Sequence, residues 1–318
     1  MRFQIKQVAA ICSSILLAST LSISAQAADH GHGHDIKQQK WAASFAFSPQ
    51  GSAIFRPPFV AESLNNQTLR SIVHLSLGGE KIRVRVSNTF GDTPLTIDAA
   101  SVGVRDTGSS IVAGTLNTLT FGGESTIIIP VGADIFSDPV EMDVENDSDL
   151  AINLFIAGQS PLPTIDDVSN KTSYVSISGD ATNSEDMPAH TTVDVSYFTS
   201  GVDVLAHHKT RTIVTVGASL TDGFGADLDA SNNYPSELAR RLLDTPKFKR
   251  SSVVNSAISG NRLLADASIF GPSAMARFDR DVLGQSGVTH ILIEHGTNDI
   301  GQPEIGFVFP AEDTFDHI

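Results

Sequence analysis

The stretch 213–223, IVTVGASLTDG, constrains the fold more than any other part of the chain. Ile213, Val214 and Val216 run into Gly217-Ala218-Ser219-Leu220, and the run closes on Thr221-Asp222-Gly223. A short β-branched run stopped by glycine reads as a buried strand breaking into a turn. Two further runs follow, SVVN at 252–255 and HILIE at 290–294. Helical patterns separate them. Pro235 sits at a helix start, where its fixed φ and missing N–H are favourable, and Leu238, Ala239, Leu242 and Leu243 repeat at helical spacing. A second helix is predicted over 273–283, with Met275, Phe278, Val282 and Leu283 as its apolar face. Alternating β and α elements predict a parallel sheet from about residue 207 to 318.

The preceding residues read differently. Over 41–206 many short β segments are punctuated by Gly, Pro and Asp, with little helical periodicity, which predicts a β-rich sandwich or jelly roll. Leu69, Ser71, Val73, Leu75 and Leu77 share one face of an alternating run. Gly78-Gly79 follows, and Ile82, Val84 and Val86 then alternate with Lys81, Arg83 and Arg85. Two alternating runs about Gly-Gly predict a hairpin, with the three cations on its solvated face. AHHKTR at 206–211 is the expected connector, with His207 and His208 as linker residues. A chain of 318 residues fits two domains.

Residues 1–27 read as an export signal. Arg2 and Lys6 precede a mostly apolar stretch, and Ala25-Gln26-Ala27 supplies the small-x-small cleavage site. Ser13, Ser14, Ser19 and Thr20 interrupt that stretch, so no stable membrane anchor is expected. The expected location is periplasmic or extracellular. The single cysteine, Cys12, falls inside the signal, which leaves no thiol for a disulfide, a nucleophile or a metal site. Residues 28–40 form an expected flexible leader containing DHGHGHD. Cleavage after Ala27 would leave Ala28-Asp29-His30, a nitrogen set suited to square-planar Cu(II) or Ni(II). A solvated processing remnant is the preferred reading, and no metal or cofactor is assigned. The net charge of −15, with no basic stripe, argues against nucleic acid as a partner.

In a parallel sheet the turns after the three strands lie along one edge, where ligands bind. Ser219, Gly260 and Asn298 can then converge. Ester hydrolysis by a serine needs a hydroxyl nucleophile and preorganised donors for the charge that develops on oxygen. The backbone N–H groups of Ser219 and Gly260 and the side-chain amide of Asn298 are three candidate donors. A glycine at 260 lets the backbone approach closely.

GASLTDG, SAISGN and GTND, in this order on three strands, resemble the first three conserved blocks of the SGNH (GDSL-type) serine esterases and acylhydrolases. The resemblance implies a flavodoxin-like α/β domain, Ser219 as nucleophile, and Gly260 and Asn298 completing the oxyanion hole. The arrangement is similar to exported bacterial arylesterase-like members with a β-rich front domain. It implies a small acyl ester or an acetylated polysaccharide as substrate. Ala218 stands where the family has aspartate, and an Asp-x-x-His block, the family's source of the general base, is absent. Asp313, Asp316 and His317 lack its spacing, His290 lies at the wrong end of its strand, and His295 reads as a strand-end residue. The expectation is a C-terminally truncated domain. An ordinary α/β-hydrolase is disfavoured, because Thr221 occupies the last position of Gly-x-Ser-x-Gly. The competing class is a non-catalytic glycan-binding or surface protein that keeps the fold without the base.

Overall fold

The computed structural model describes residues 38–54, 61–187, 189–267 and 269–305. The export signal, DHGHGHD, and Asp313, Asp316 and His317 lie outside them. Gln39 and Lys40, at the end of the expected leader, already belong to the first strand, Gln39–Ala46.

Most of the front portion is two antiparallel sheets. In one, Gln39–Ala46 pairs with Thr199–His207, which pairs with Gly79–Ser87, and two short strands, Asp134–Phe136 and Val140–Val144, flank the latter. The other runs Ala189–Val193, Ser173–Ser176, Asn65–Leu75, Ser148–Gln159, Ala99–Val104, Asn117–Thr118. Both contribute to one core. Val84, Val86, Val202 and Val204 come from the first sheet, and Leu69, Val73, Leu150 and Ile152 from the second.

The hairpin expected about Gly78-Gly79 does not form. Asn65–Leu75 and Gly79–Ser87 lie in different sheets, so the Gly-Gly link is an arch over the end of the core. Each run has one apolar face and both faces meet the same core, a pattern that hairpin and arch share. The passage is narrow: a Cβ at Gly78 would lie 2.1 Å from the Val144 carbonyl oxygen. Of the cationic stripe, Lys81 lies at the surface beside Glu141, but Arg83 and Arg85 do not form a solvated face. The Arg83 guanidinium lies over the Trp41 and Phe136 rings and pairs with Asp203 at 2.7 Å. Arg85 is buried and donates to Ser200 and Gln285. His207 closes a strand, and its ring stacks on His208 at 4.3 Å.

From Arg211 the chain builds a three-stranded parallel sheet. Arg211–Gly217 is central, with Ser251–Asn255 on one side and Val288–Glu294 on the other. Parallel strands need both faces covered. Strand Gln39–Ala46 packs into this part of the molecule: Ala43 and Ala46 share a buried cluster with Val214, Val216, Val254 and Val282. The Ala43 N–H donates to the Ser286 carbonyl at 2.9 Å. All described residues fall within one compact unit.

Helix Tyr234–Leu243 starts as expected, with Pro235 in its first turn and the Asn233 side chain accepting from the Ser236 N–H at 3.1 Å. The second helix departs from expectation. It is α-helical over Ala274–Phe278 and widens to a π-helical turn over Asp279–Leu283. Met275 and Leu283, placed on its apolar face by the sequence, are exposed. Arg277 and Asp281 are buried in their place, because they pair with each other and with polar groups of neighbouring elements. Among the described residues no helix is long and apolar enough to cross a membrane.

Candidate functional site

Ser219 opens a four-residue helix, Ser219–Asp222, directly after the central strand. The helix closes on Gly223 at φ +104, with the N–H groups of Gly223 and Phe224 donating to the Ser219 carbonyl at 3.0 and 2.9 Å. Gly217 must be glycine. A Cβ there would lie 2.0 Å from Thr221 Oγ1 and 2.5 Å from the Glu294 carbonyl. The Ser219 side chain is left half-buried at the sheet edge.

Gly260 follows the second strand at φ +75, the left-handed region that glycine enters without penalty. Asn298 stands in the first turn of helix Thr297–Ile305, after the third strand. The turns that carry the three residues are bonded to one another. The Asp222 carboxylate accepts from the Ser259 N–H and hydroxyl, both at 2.7 Å. Asn298 Nδ2 donates to the Asn261 carbonyl at 2.9 Å, and the Ile258 N–H donates to the Gly217 carbonyl at 3.3 Å. The structure therefore gathers the three turns along one edge, as the parallel reading requires. One N–H of Asn298 is engaged with Asn261, which leaves its amide the second N–H for a ligand.

Several residues around the site escaped sequence reasoning. Asp222 is buried, and desolvation pushes its carboxyl up to about 6 against the opposing pull of the Ser259 hydrogen bonds and the Arg277 charge. Asn261 is fully buried. Its amide donates to the Phe270 and Pro272 carbonyls at 2.7 and 2.8 Å, and its Oδ1 accepts from Arg277 at 3.0 Å. Arg277 also reaches the Ser256 carbonyl and the Ser48 hydroxyl, each at 2.7 Å, and burial pushes its guanidinium below the usual range. The Asp299 carboxylate accepts from the Leu263 N–H at 2.8 Å. The available signal was the density of polar residues in DG, SGNR and GTND just past β-runs.

His295 is buried, and desolvation together with the Arg277 charge lowers its imidazole. Its Nδ1 accepts the Gly296 N–H at 2.9 Å, which assigns the proton to Nε2, 3.4 Å from Asn261 Oδ1. A ring engaged on both nitrogens is poorly placed to take a proton from Ser219. His290 is exposed and bonds Thr289. Among the described residues no imidazole or carboxylate is hydrogen-bonded to the Ser219 hydroxyl, and no His/Cys/Asp/Glu group has the geometry of a metal site.

Residues 215–315 match the GDSL-like Lipase/Acylhydrolase family. Two similar solved structures are family two carbohydrate esterases. The one from Clostridium thermocellum is 15% identical with a TM-score of 0.23, covering 83% of this chain and 68% of that one. The one from Cellvibrio japonicus is 13% identical with a TM-score of 0.21, covering 84% and 71%. At such scores the overall likeness contributes nothing to the reading of the site. No curated protein matches the chain. Ser219, Gly260 and Asn298 all lie inside the GDSL-like segment.

Proposed function

We propose that this protein is an exported serine ester hydrolase that removes small acyl groups, with acetylated polysaccharide as a candidate substrate. The carrying observation is the gathering of the Ser219, Gly260 and Asn298 turns on one sheet edge, within a GDSL-like segment. Ser219 Oγ attacks the ester carbonyl carbon, and the carbonyl oxygen takes the negative charge. The Ser219 and Gly260 N–H groups and the second N–H of the Asn298 amide would receive it. Each such donor is worth roughly 3–4 kcal/mol of barrier. Collapse expels the alcohol, which takes up the proton that left Ser219, and water then releases the acid from the acyl-serine. A general base must carry that proton between the two oxygens. We further propose a jelly-roll-like front and a flavodoxin-like parallel sheet. The signal at 1–27 would direct the chain to the periplasm or beyond.

A non-catalytic glycan-binding or surface protein that keeps the fold is the second reading. Hydrolysis of p-nitrophenyl acetate decides between them. Ser219→Ala should lose far more than about tenfold in rate with Tm nearly unchanged, since loss of a nucleophile is normally that costly. A variant that keeps a tenth of the rate would remove the nucleophile assignment. A wild-type protein with no hydrolysis above buffer would favour the binding reading.

A further inference from the structure

We propose that Asp222 is a positioning residue for the oxyanion hole, holding the Ser259-Gly260 peptide, which carries the Gly260 N–H, against the turn that carries Ser219. This rests on the nucleophile and donor roles given above.

The geometry is specific. One carboxylate oxygen, Oδ2, accepts two hydrogen bonds from Ser259, from its N–H and its hydroxyl, each at 2.7 Å. Ser259 is the residue immediately before Gly260. Asp222 is three residues after Ser219 in the same short helix, and its own N–H donates to the Ala218 carbonyl at 2.8 Å. Its backbone is held from two further sides. The Asp222 carbonyl accepts from Asn255 Nδ2 at 3.3 Å, at the end of the second strand, and from Asn170 Nδ2 at 3.2 Å, in a loop of the front portion. The carboxylate is therefore a short, fixed strut between the nucleophile turn and the peptide that presents a donor. Hydrogen bonds to an ionised acceptor are stronger than neutral ones, so a carboxylate suits this task.

Its surroundings define what would loosen the strut. Arg277, on the second helix, favours the ionised form, and Asp167, from the front portion, opposes it. His74, Asp166 and Lys171 line a small cavity of about 70 Å³ that also touches Asp222. Burial outweighs Arg277, and the group takes up a proton at about 6. Below that pH the strut becomes a neutral acid and a weaker acceptor.

The test uses the full chain and two readouts. In the first, ¹H–¹⁵N spectra are followed across the pH range. The Ser259 and Gly260 amides should shift together with a midpoint near the Asp222 value, and the shift should vanish in Asp222→Asn. The second is ester hydrolysis. Asp222→Ala should lower kcat about tenfold or more with KM within about twofold, because a displaced donor acts on the transition state. Asp222→Asn should recover most of that loss, since an amide oxygen can accept both Ser259 bonds. Ser259→Ala, which keeps the N–H bond and removes the hydroxyl, should fall between the two and covers the case of an Asp222→Ala chain that does not fold. A Gly260 amide that ignores the titration, or a loss confined to KM, would overturn the role. Failure of the nucleophile reading shows separately, as activity surviving Ser219→Ala, and the amide titration reports the Asp222–Ser259 link whether or not ester is cleaved.

Discussion

Gly260→Ala should destabilise the protein through two separable causes, a crowded ring and a strained backbone. A Cβ built on Gly260 would lie 2.3, 2.5 and 2.6 Å from Cδ1, Cε1 and Cγ of Phe270. Overpacking of that kind costs about 1–3 kcal/mol. The backbone adds a second penalty, because φ is +75 and an L side chain there costs about 1–2 kcal/mol. The expected sum is about 2–5 kcal/mol, nearer the lower end because Phe270 is only half-buried and its ring can swing. A double-mutant cycle separates the two parts. In a Phe270→Ala background the ring is gone, and Gly260→Ala should cost only the conformational ~1–2 kcal/mol. Urea unfolding of the full chain, with m-values compared across the four proteins, supplies the free energies. Ester hydrolysis should follow in parallel, since Ala keeps the backbone N–H and relief of the clash lets it return to place. Equal costs in both backgrounds, or a Gly260→Ala penalty below about 0.5 kcal/mol, would refute the close approach of this loop.

Asn298→Ala should lower kcat by about 10²–10³ with little change in KM, because its second N–H acts on the transition-state oxygen; a pure KM effect would make it a substrate-binding residue. Asp149 offers a stability test at acid pH. Burial would raise its carboxyl, but the His74 hydrogen bond and Lys171 at 2.8 Å win and hold it well below the usual carboxylate range. A depressed folded value means a contribution fully present above the unfolded pKa, about 3.9, and lost as pH falls through the folded one. Asp149→Asn should therefore cost about 1.5–3 kcal/mol at pH 7, as losing hydrogen bonds to a partly buried charge does, and the gap from wild type in urea unfolding should narrow below about pH 3. A gap that is unchanged at pH 2.5 would remove the ionic account.

The three turns of the site were legible because each short β-run stops on small and polar residues, a local property of the chain. The parallel order of those strands was legible for a similar reason, since helical spacing separates them. What failed was information held between elements. Nothing local to 69–86 separates a hairpin from an arch, because either places Leu69, Val73, Val84 and Val86 in the same core. Arg83 and Arg85 read as solvated because their partners, Asp203, Ser200 and Gln285, lie more than a hundred residues away. The second helix was read correctly at Phe278 and Val282, which pack on the cluster with Val214 and Val216, and wrongly at Met275 and Leu283, for the same reason. A rule that puts Met275 inside and Arg277 outside cannot see Ser48, Ser256 and Asn261 waiting for a guanidinium. Asp222 was visible in the turn as a residue but not as a strut, since Ser259 is 37 positions on.

These long-range partners bear on what the β-rich front portion is for. Three kinds of bond join it to the GDSL-like segment. The first is apolar: Ala43 and Ala46 share a cluster with Val214, Val216 and Val254, and two alanines are small enough to let the strands approach. The second is polar and reaches the site. Arg277 joins Ser48 of the front portion to Asn261, and Asn261 in turn receives Asn298. Asn170 caps the Asp222 carbonyl at the end of the short helix that begins with Ser219. The third is ionic, with Lys171 bridging the Asp149 carboxylate and the Asp229 carbonyl, and Asp229 binding Thr172 in return. A tethered binding module would need none of the second kind, because its partners could sit anywhere on the surface. Here the polar bonds converge on residues that neighbour Ser219 and Asn298. The front portion thus acts as part of the scaffold that fixes the site, whatever it contributes to recognition.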